Sequence, residues 1–163
     1  MLDTLYAYLA GAIDADGFIT ISRSTPSSTR KDGRRSVYYT TKVGLSEISP
    51  VIPDWLYQTF GGWRGIHQPP NPQHKVWYVW QVTNAKVGVV LQLLLPYLRL
   101  KRGQAELVLQ FVELMSSYKP SVGNLLSFEQ TAQRAHLWEE VTRLNAPRNR
   151  RIHYLPPSVD GKS

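Results

Sequence analysis

The sequence predicts an α+β domain: a helix-strand-strand-helix-strand-strand-helix core, its curved four-stranded antiparallel sheet covered by helices on one face, with an extra C-terminal helix. Three observations predict it. Apolar residues recur at helical spacing in five runs, three other runs alternate apolar and polar side chains, and these with the short run Trp63–His67 come in adjacent pairs between helices. Strands of a parallel sheet would instead be separated from one another by helical crossovers. With 163 residues and no Cys, the chain can bury a core without disulfides, and thiolate metal sites and a cysteine nucleophile are excluded.

Asp3 or Thr4 can cap a first helix over Leu5–Ile13, whose Leu5, Tyr6, Leu9 and Ile13 share one face, and Gly17 ends it. From Phe18 to Ser24, Ile19 and Ile21 fall on one side of a strand and Thr20, Ser22 and Ser24 on the other. A second strand, Ser36–Leu45, sets Val37, Tyr39, Thr41 and Val43 against Ser36, Tyr38, Thr40 and Lys42. TPSSTRKDGRR between them reads as a long hairpin tip. Ser49 as N-cap with Pro50 at the first helical position opens a short helix to Phe60, stopped by Gly61 and Gly62.

Trp63–His67 is the third strand, and after the turn PPNPQH the fourth, Val76–Thr83, alternates Tyr78, Trp80 and Val82 with Trp77, Val79 and Gln81. Of the tryptophans, Trp55, Trp63 and Trp80 are expected in the core and Trp77 outside it. Helices over Ala85–Leu95, Lys101–Tyr118 and Ser127–Leu144 follow, the last opened by a Ser127/Gln130 capping box. One domain thus occupies 1–145, and the basic, proline-interrupted 146–163 reads as a disordered tail.

Nineteen Lys and Arg against twelve Asp and Glu leave a net charge of +7, which favours a polyanionic partner, nucleic acid ahead of an anionic membrane. Residues 17–83 concentrate it: Arg23, Arg30, Lys31, Arg34, Arg35, Lys42, Arg64 and Lys75 face only Asp32, Glu47 and Asp54. Helices on one side of the sheet leave the other bare, and its Ser, Thr, Tyr, Lys and Gln side chains suit base edges. The N-terminal stretch carries Asp3, Asp14 and Asp16 and lacks a basic leader, so an intracellular protein with no membrane partner is expected. The four His residues have no metal-ligand spacing, and no Ser-His-Asp arrangement or phosphate-binding glycine loop occurs.

The informative motif is Leu9-Ala10-Gly11-Ala12-Ile13-Asp14-Ala15-Asp16-Gly17. As a calcium loop it fails, because the position that needs a distal Glu holds Thr25. It resembles the signature of the LAGLIDADG homing endonucleases, differing mainly by Ala12 for Leu, and the resemblance extends from residue 5 to about 145. Ala7, Ala10 and Gly11 give a helix face with almost no side chain, against which a second backbone can approach closely. If that partner is a second copy, Asp14, which caps or orients the helix end, also joins the interface, and a two-fold axis sets two Asp16 carboxylates side by side, a like-charge pair that calls for a divalent cation.

The resemblance implies a single-motif homodimer that binds about twenty base pairs of pseudo-palindromic double-stranded DNA, since a ten-residue strand spans about 33 Å, roughly ten base pairs of rise. It implies cleavage of both strands with short 3′ overhangs, dependent on Mg²⁺ or, alternatively, Mn²⁺. Asp16 is then the catalytic metal ligand, joined by the backbone carbonyl of Ala15, and Lys101, in YLRLKRGQAELVL, matches a lysine near the scissile phosphate. Polar side chains after the second strand are implied in the water network; an ungapped alignment puts Leu45 and Ser49 there, with Ser46 and Glu47 nearby.

The expected DNA-facing residues are Thr20, Ser22, Ser24, Ser36, Tyr38, Thr40, Lys42, Trp77, Val79 and Gln81 toward bases, with Arg30, Arg34, Arg35, Arg64 and Lys75 for phosphates or guanines. The competing reading is an intron RNA maturase, or a DNA-binding protein of this fold without cleavage.

Overall fold

The computed structural model describes residues 2–25, 37–118 and 127–146. The tip residues Arg30, Arg34, Arg35 and Ser36, and all of the expected tail but Ala146, lie outside them. The chain runs α1 (Leu2–Asp16), β1 (Gly17–Ser24), β2 (Tyr38–Glu47), α2 (Val51–Phe60), β3 (Trp63–His67), β4 (Trp77–Thr83), α3 (Ala85–Leu94), α4 (Arg102–Ser117) and α5 (Phe128–Asn145). One antiparallel sheet of order β1-β2-β4-β3 results. This is the expected α+β arrangement, with α1 one turn longer at its start and three residues longer at its end than the apolar periodicity required.

Strand parity sorts the side chains. Ile19, Ile21, Val43, Leu45, Trp80 and Val82 are buried under the helices, together with Leu9 and Ile13 of α1, Leu56 of α2, Val87, Val90, Leu91 and Leu94 of α3, Val108 and Phe111 of α4, and Val141 of α5. Each such aliphatic side chain contributes about 1.5–3 kcal/mol by leaving water. Trp80 is fully buried, its indole N–H donating to the Gly61 carbonyl at 2.7 Å, as a buried Trp requires. Trp55 and Trp63, by contrast, are 41% and 54% exposed. Both were expected in the core, but α2 turns Trp55 outward and β3 is an edge strand whose Trp63 falls on the open face.

The capping box of α5 is present: Gln130 N–H donates to Ser127 Oγ and the Ser127 N–H to Gln130 Oε1, both at 3.1 Å. At α2 the cap lies one residue later than the motif suggested. Pro50 is the N-cap, and Ser49 outside it accepts from Val51 N–H at only 3.4 Å. Among the described residues no helix is long and apolar enough to cross a membrane.

Candidate functional site

α1 passes into β1 without a loop, so the motif's two carboxylates stand where the helix meets the sheet. Helical geometry sends them to different places. Asp14 is buried, and its carboxylate accepts the backbone N–H groups of Arg99 at 2.6 Å, Lys101 at 2.9 Å and Leu100 at 3.1 Å. These groups lead into the N-terminus of α4, where free N–H donors and the helix dipole favour an anion. Asp14 therefore ties the end of α1 to the start of α4, in keeping with the expected orienting role, and its carboxylate is engaged within its own chain. Ala10, also expected at the interface, is fully buried in its own core, whereas Ala7 and Gly11 are exposed.

Asp16, two residues on, is exposed. It lines an open hollow of about 470 Å³ with Ser46, Glu47, Ile48, Lys75 and Trp77. Lys101 approaches from the α4 side, and its Nζ donates to the backbone carbonyl of Asp14, so a cation closes the C-terminal end of α1. Partial burial lowers the affinity of this ammonium for its proton, while the carboxylates of Asp14 and Asp16 oppose that shift. Ala15 occupies the last turn of α1, whose carbonyls have no donors within the helix.

Glu47 is the polar residue that alignment missed. Leu45 is fully buried and cannot serve a water network, and Ser49 lies beyond the strand at the mouth of α2. Along the same face of β2, two residues past Leu45, Glu47 emerges from the core beside Asp16. Burial, and then the like charge of Asp16, raises its carboxyl above the ordinary carboxylate range. A raised carboxyl stabilises the fold while protonated and loses that contribution as pH rises through its folded value. Glu47→Gln is thus expected to raise the melting temperature of the metal-free chain near pH 7, by no more than about 2 °C for so open a group, and to leave it unchanged near pH 4.

On the open face the register aligns Thr20, Ser22 and Ser24 with Lys42, Thr40 and Tyr38, and Gln81 and Val79 with Gly44 and Ser46. With Trp77 they form one surface, as parity predicted. Trp63 and His67, paired with Gln81 and Trp77, join it and were not foreseen. Arg64 does not: it has the parity of Trp80, its guanidinium meets Asp54 at 2.9 Å and lies over Tyr57. Lys75 is exposed on the rim of the hollow, available to a phosphate.

No family model and no curated protein matches the chain. Solved structures do. The homing endonuclease I-CvuI, in complex with the I-CreI target in the presence of Mg with the DNA not cleaved, superposes at TM-score 0.68 with 23% identity over 91% of this chain and 87% of its own. The archaeal intron-encoded homing endonuclease I-Vdi141I, complexed with DNA, gives 0.65 and 17% over 91% and 89%. The fold is that of the LAGLIDADG homing endonucleases. The LAGLIDADG homing endonuclease I-LtrWI, bound to target DNA, matches at 0.63 and 18% over 84% of this chain but 44% of its own. This fold thus spans a little under half the length of that protein, and here the Leu9–Gly17 motif stands at the junction of α1 and β1.

Proposed function

We propose that the chain is a site-specific DNA endonuclease that acts as a homodimer on a pseudo-palindromic duplex and needs a divalent metal. The observation that carries this reading is the exposed Asp16 at the end of an α1 face that is itself open. A side chain added at Gly11 meets nothing within 4 Å, Ala7 lies beside it, and Tyr8 packs on Trp55 at its edge with ring centroids 5.4 Å apart. A second copy crossing here would bring the two Asp16 carboxylates together.

The donor set fits Mg²⁺. Two hard carboxylates, Asp16 and Glu47, face one hollow, where burial and then the like charge of Asp16 raise the Glu47 carboxyl. Asp16, with the Ala15 carbonyl, would hold the ion, which when bound supplies charge neutralisation and Lewis acidity for phosphodiester hydrolysis. Lys101, anchored by the Asp14 carbonyl, sets a positive charge toward the phosphate, and Asp14 fixes the turn that carries it. Ser46 and Glu47 offer hydrogen-bond partners to water in the hollow. The polar part of the sheet reads base edges in the major groove and Lys75 meets the backbone. Cleavage on both strands follows from the two-fold axis, leaving short 3′ overhangs.

Incubation of a randomised duplex library with the chain in Mg²⁺ and in chelator, with sequencing of the new ends, tests this reading. Metal-dependent cuts at one pseudo-palindrome are expected; binding of duplex without cuts would reduce the protein to a DNA-binding role, and preference for intron RNA would favour the maturase. Dimerisation is tested apart. Gly11→Glu is expected to give a folded monomer, since the helix gains about 0.5–1 kcal/mol on losing a glycine while the shared face is blocked. Sedimentation should show the dimer lost, and double-strand cleavage should go with it.

A further inference from the structure

The open face of the sheet changes character along its strands. Its far end, at Ser22, Ser24, Tyr38 and Thr40, is polar, whereas the part nearest Asp16 carries the large apolar side chains, Phe18, Val79 and Trp77, continued across β3 by Trp63, with Ser46, Gln81 and His67 set between them. Both glycines within this patch are roofed by aromatic rings. A Cβ at Gly44 would collide with the ring of Phe18, its partner across the β1–β2 pair, and one at Gly65 with the indole of Trp63. The two rings therefore lie back over the strands, and Trp63 and Trp77 remain 54% and 42% exposed.

Resting on the duplex-binding reading above, we infer that this aromatic patch recognises the base pairs nearest the cleavage point through the C5-methyl groups of thymine. The methyl is the apolar feature that a base pair offers in the major groove. Phe18 and Val79 offer no donor or acceptor, so a G·C pair set against them loses water from its polar edge without a replacement bond, while a thymine methyl gains contact. The far half of the same strands reads by hydrogen bonds, which divides each half-site into a methyl-read inner part and a bond-read outer part. A duplex is the occupant because the patch and the polar half are continuous along β1, β2 and β4, so one ligand lies along both. Flat rings also suit unpaired bases, the alternative that the test must separate.

Binding sites are selected from a randomised duplex library with the full chain in chelator, and the thymines of the selected duplex are then replaced singly by deoxyuridine, which keeps every hydrogen bond and removes one methyl. Thymine should be enriched at the inner positions, where each replacement should weaken binding about fourfold, the factor for one buried methyl group. At outer positions the loss should stay below about twofold. Val79→Asn should change the base preference at one inner position and leave the outer ones as they were. Duplex binding that is indifferent to uracil at the inner positions overturns the inference and leaves the nuclease reading standing. Stronger binding to the single strands, or no duplex binding at all, overturns both.

Discussion

Replacing Asp14 by Ala is expected to destabilise the protein by about 2–4 kcal/mol, because a buried carboxylate is lost and three backbone N–H groups of a partly buried turn lose their acceptor. Bonds at 2.6–3.1 Å to a carboxylate belong to the stronger class of protein hydrogen bonds. The loss also frees the Leu98–Lys101 turn from the end of α1, so Lys101 leaves its position at the Asp14 carbonyl. Against a total stability of about 5–15 kcal/mol, such a change is visible as a large drop in the urea midpoint. Asp16→Ala is the control: that side chain is exposed, and its replacement should shift stability by no more than about 0.5 kcal/mol. Equal losses from both variants would mean that the two carboxylates are not divided into a structural and a chemical one.

That division marks how far the sequence could be read. Alternation placed Thr20, Ser22, Tyr38, Thr40, Lys42, Val79 and Gln81 on the open face correctly, since strand parity is a local property and each run carries its own record of it. Parity has one blind spot, which is that a shift of two residues preserves the face. Leu45 and Glu47 lie on the same side of β2, and only the position where α1 ends against the sheet shows that the first is core and the second faces Asp16. Arg64 misled for a related reason. Its charge suggested a phosphate, but β3 pairs with β4 so that Arg64 takes the parity of Trp80 and reaches Asp54 of α2.

The motif helix shows the same limit. Small residues at Ala7, Ala10 and Gly11 all suggested a close-approach face, yet ten and seven are three apart and lie about 60° from one another around the helix axis. Burial under the chain's own core claims Ala10 and Asp14, and leaves Ala7 and Gly11 outside. A signal was available: Leu9 and Ile13 fix the buried direction, and Ala10 and Asp14 each follow one of them by a single residue, close enough for a second row of the same buried side.

Asp16→Asn is expected to reduce cleavage by at least about 10³-fold, roughly 4 kcal/mol of barrier, and to leave duplex affinity within about threefold. The carboxylate is the exposed acid at the junction of α1 and β1, while the open-face side chains stand along the strands beyond it, so under the proposed function the change removes a metal ligand without touching the reading surface. The same change has a second, opposite consequence. In the proposed dimer, free of metal, two Asp16 charges would repel, and each also faces Glu47 across the hollow. Neutral Asn relieves both, so the variant should dimerise more tightly than the parent in chelator, and added Mg²⁺ should tighten the parent's association and not the variant's. Cleavage rates on the selected duplex and sedimentation at several protein concentrations check the two halves. Retained cleavage by Asp16→Asn would remove this residue from the chemistry; lost cleavage with weaker metal-free dimerisation would leave it in the chemistry but away from the two-fold axis.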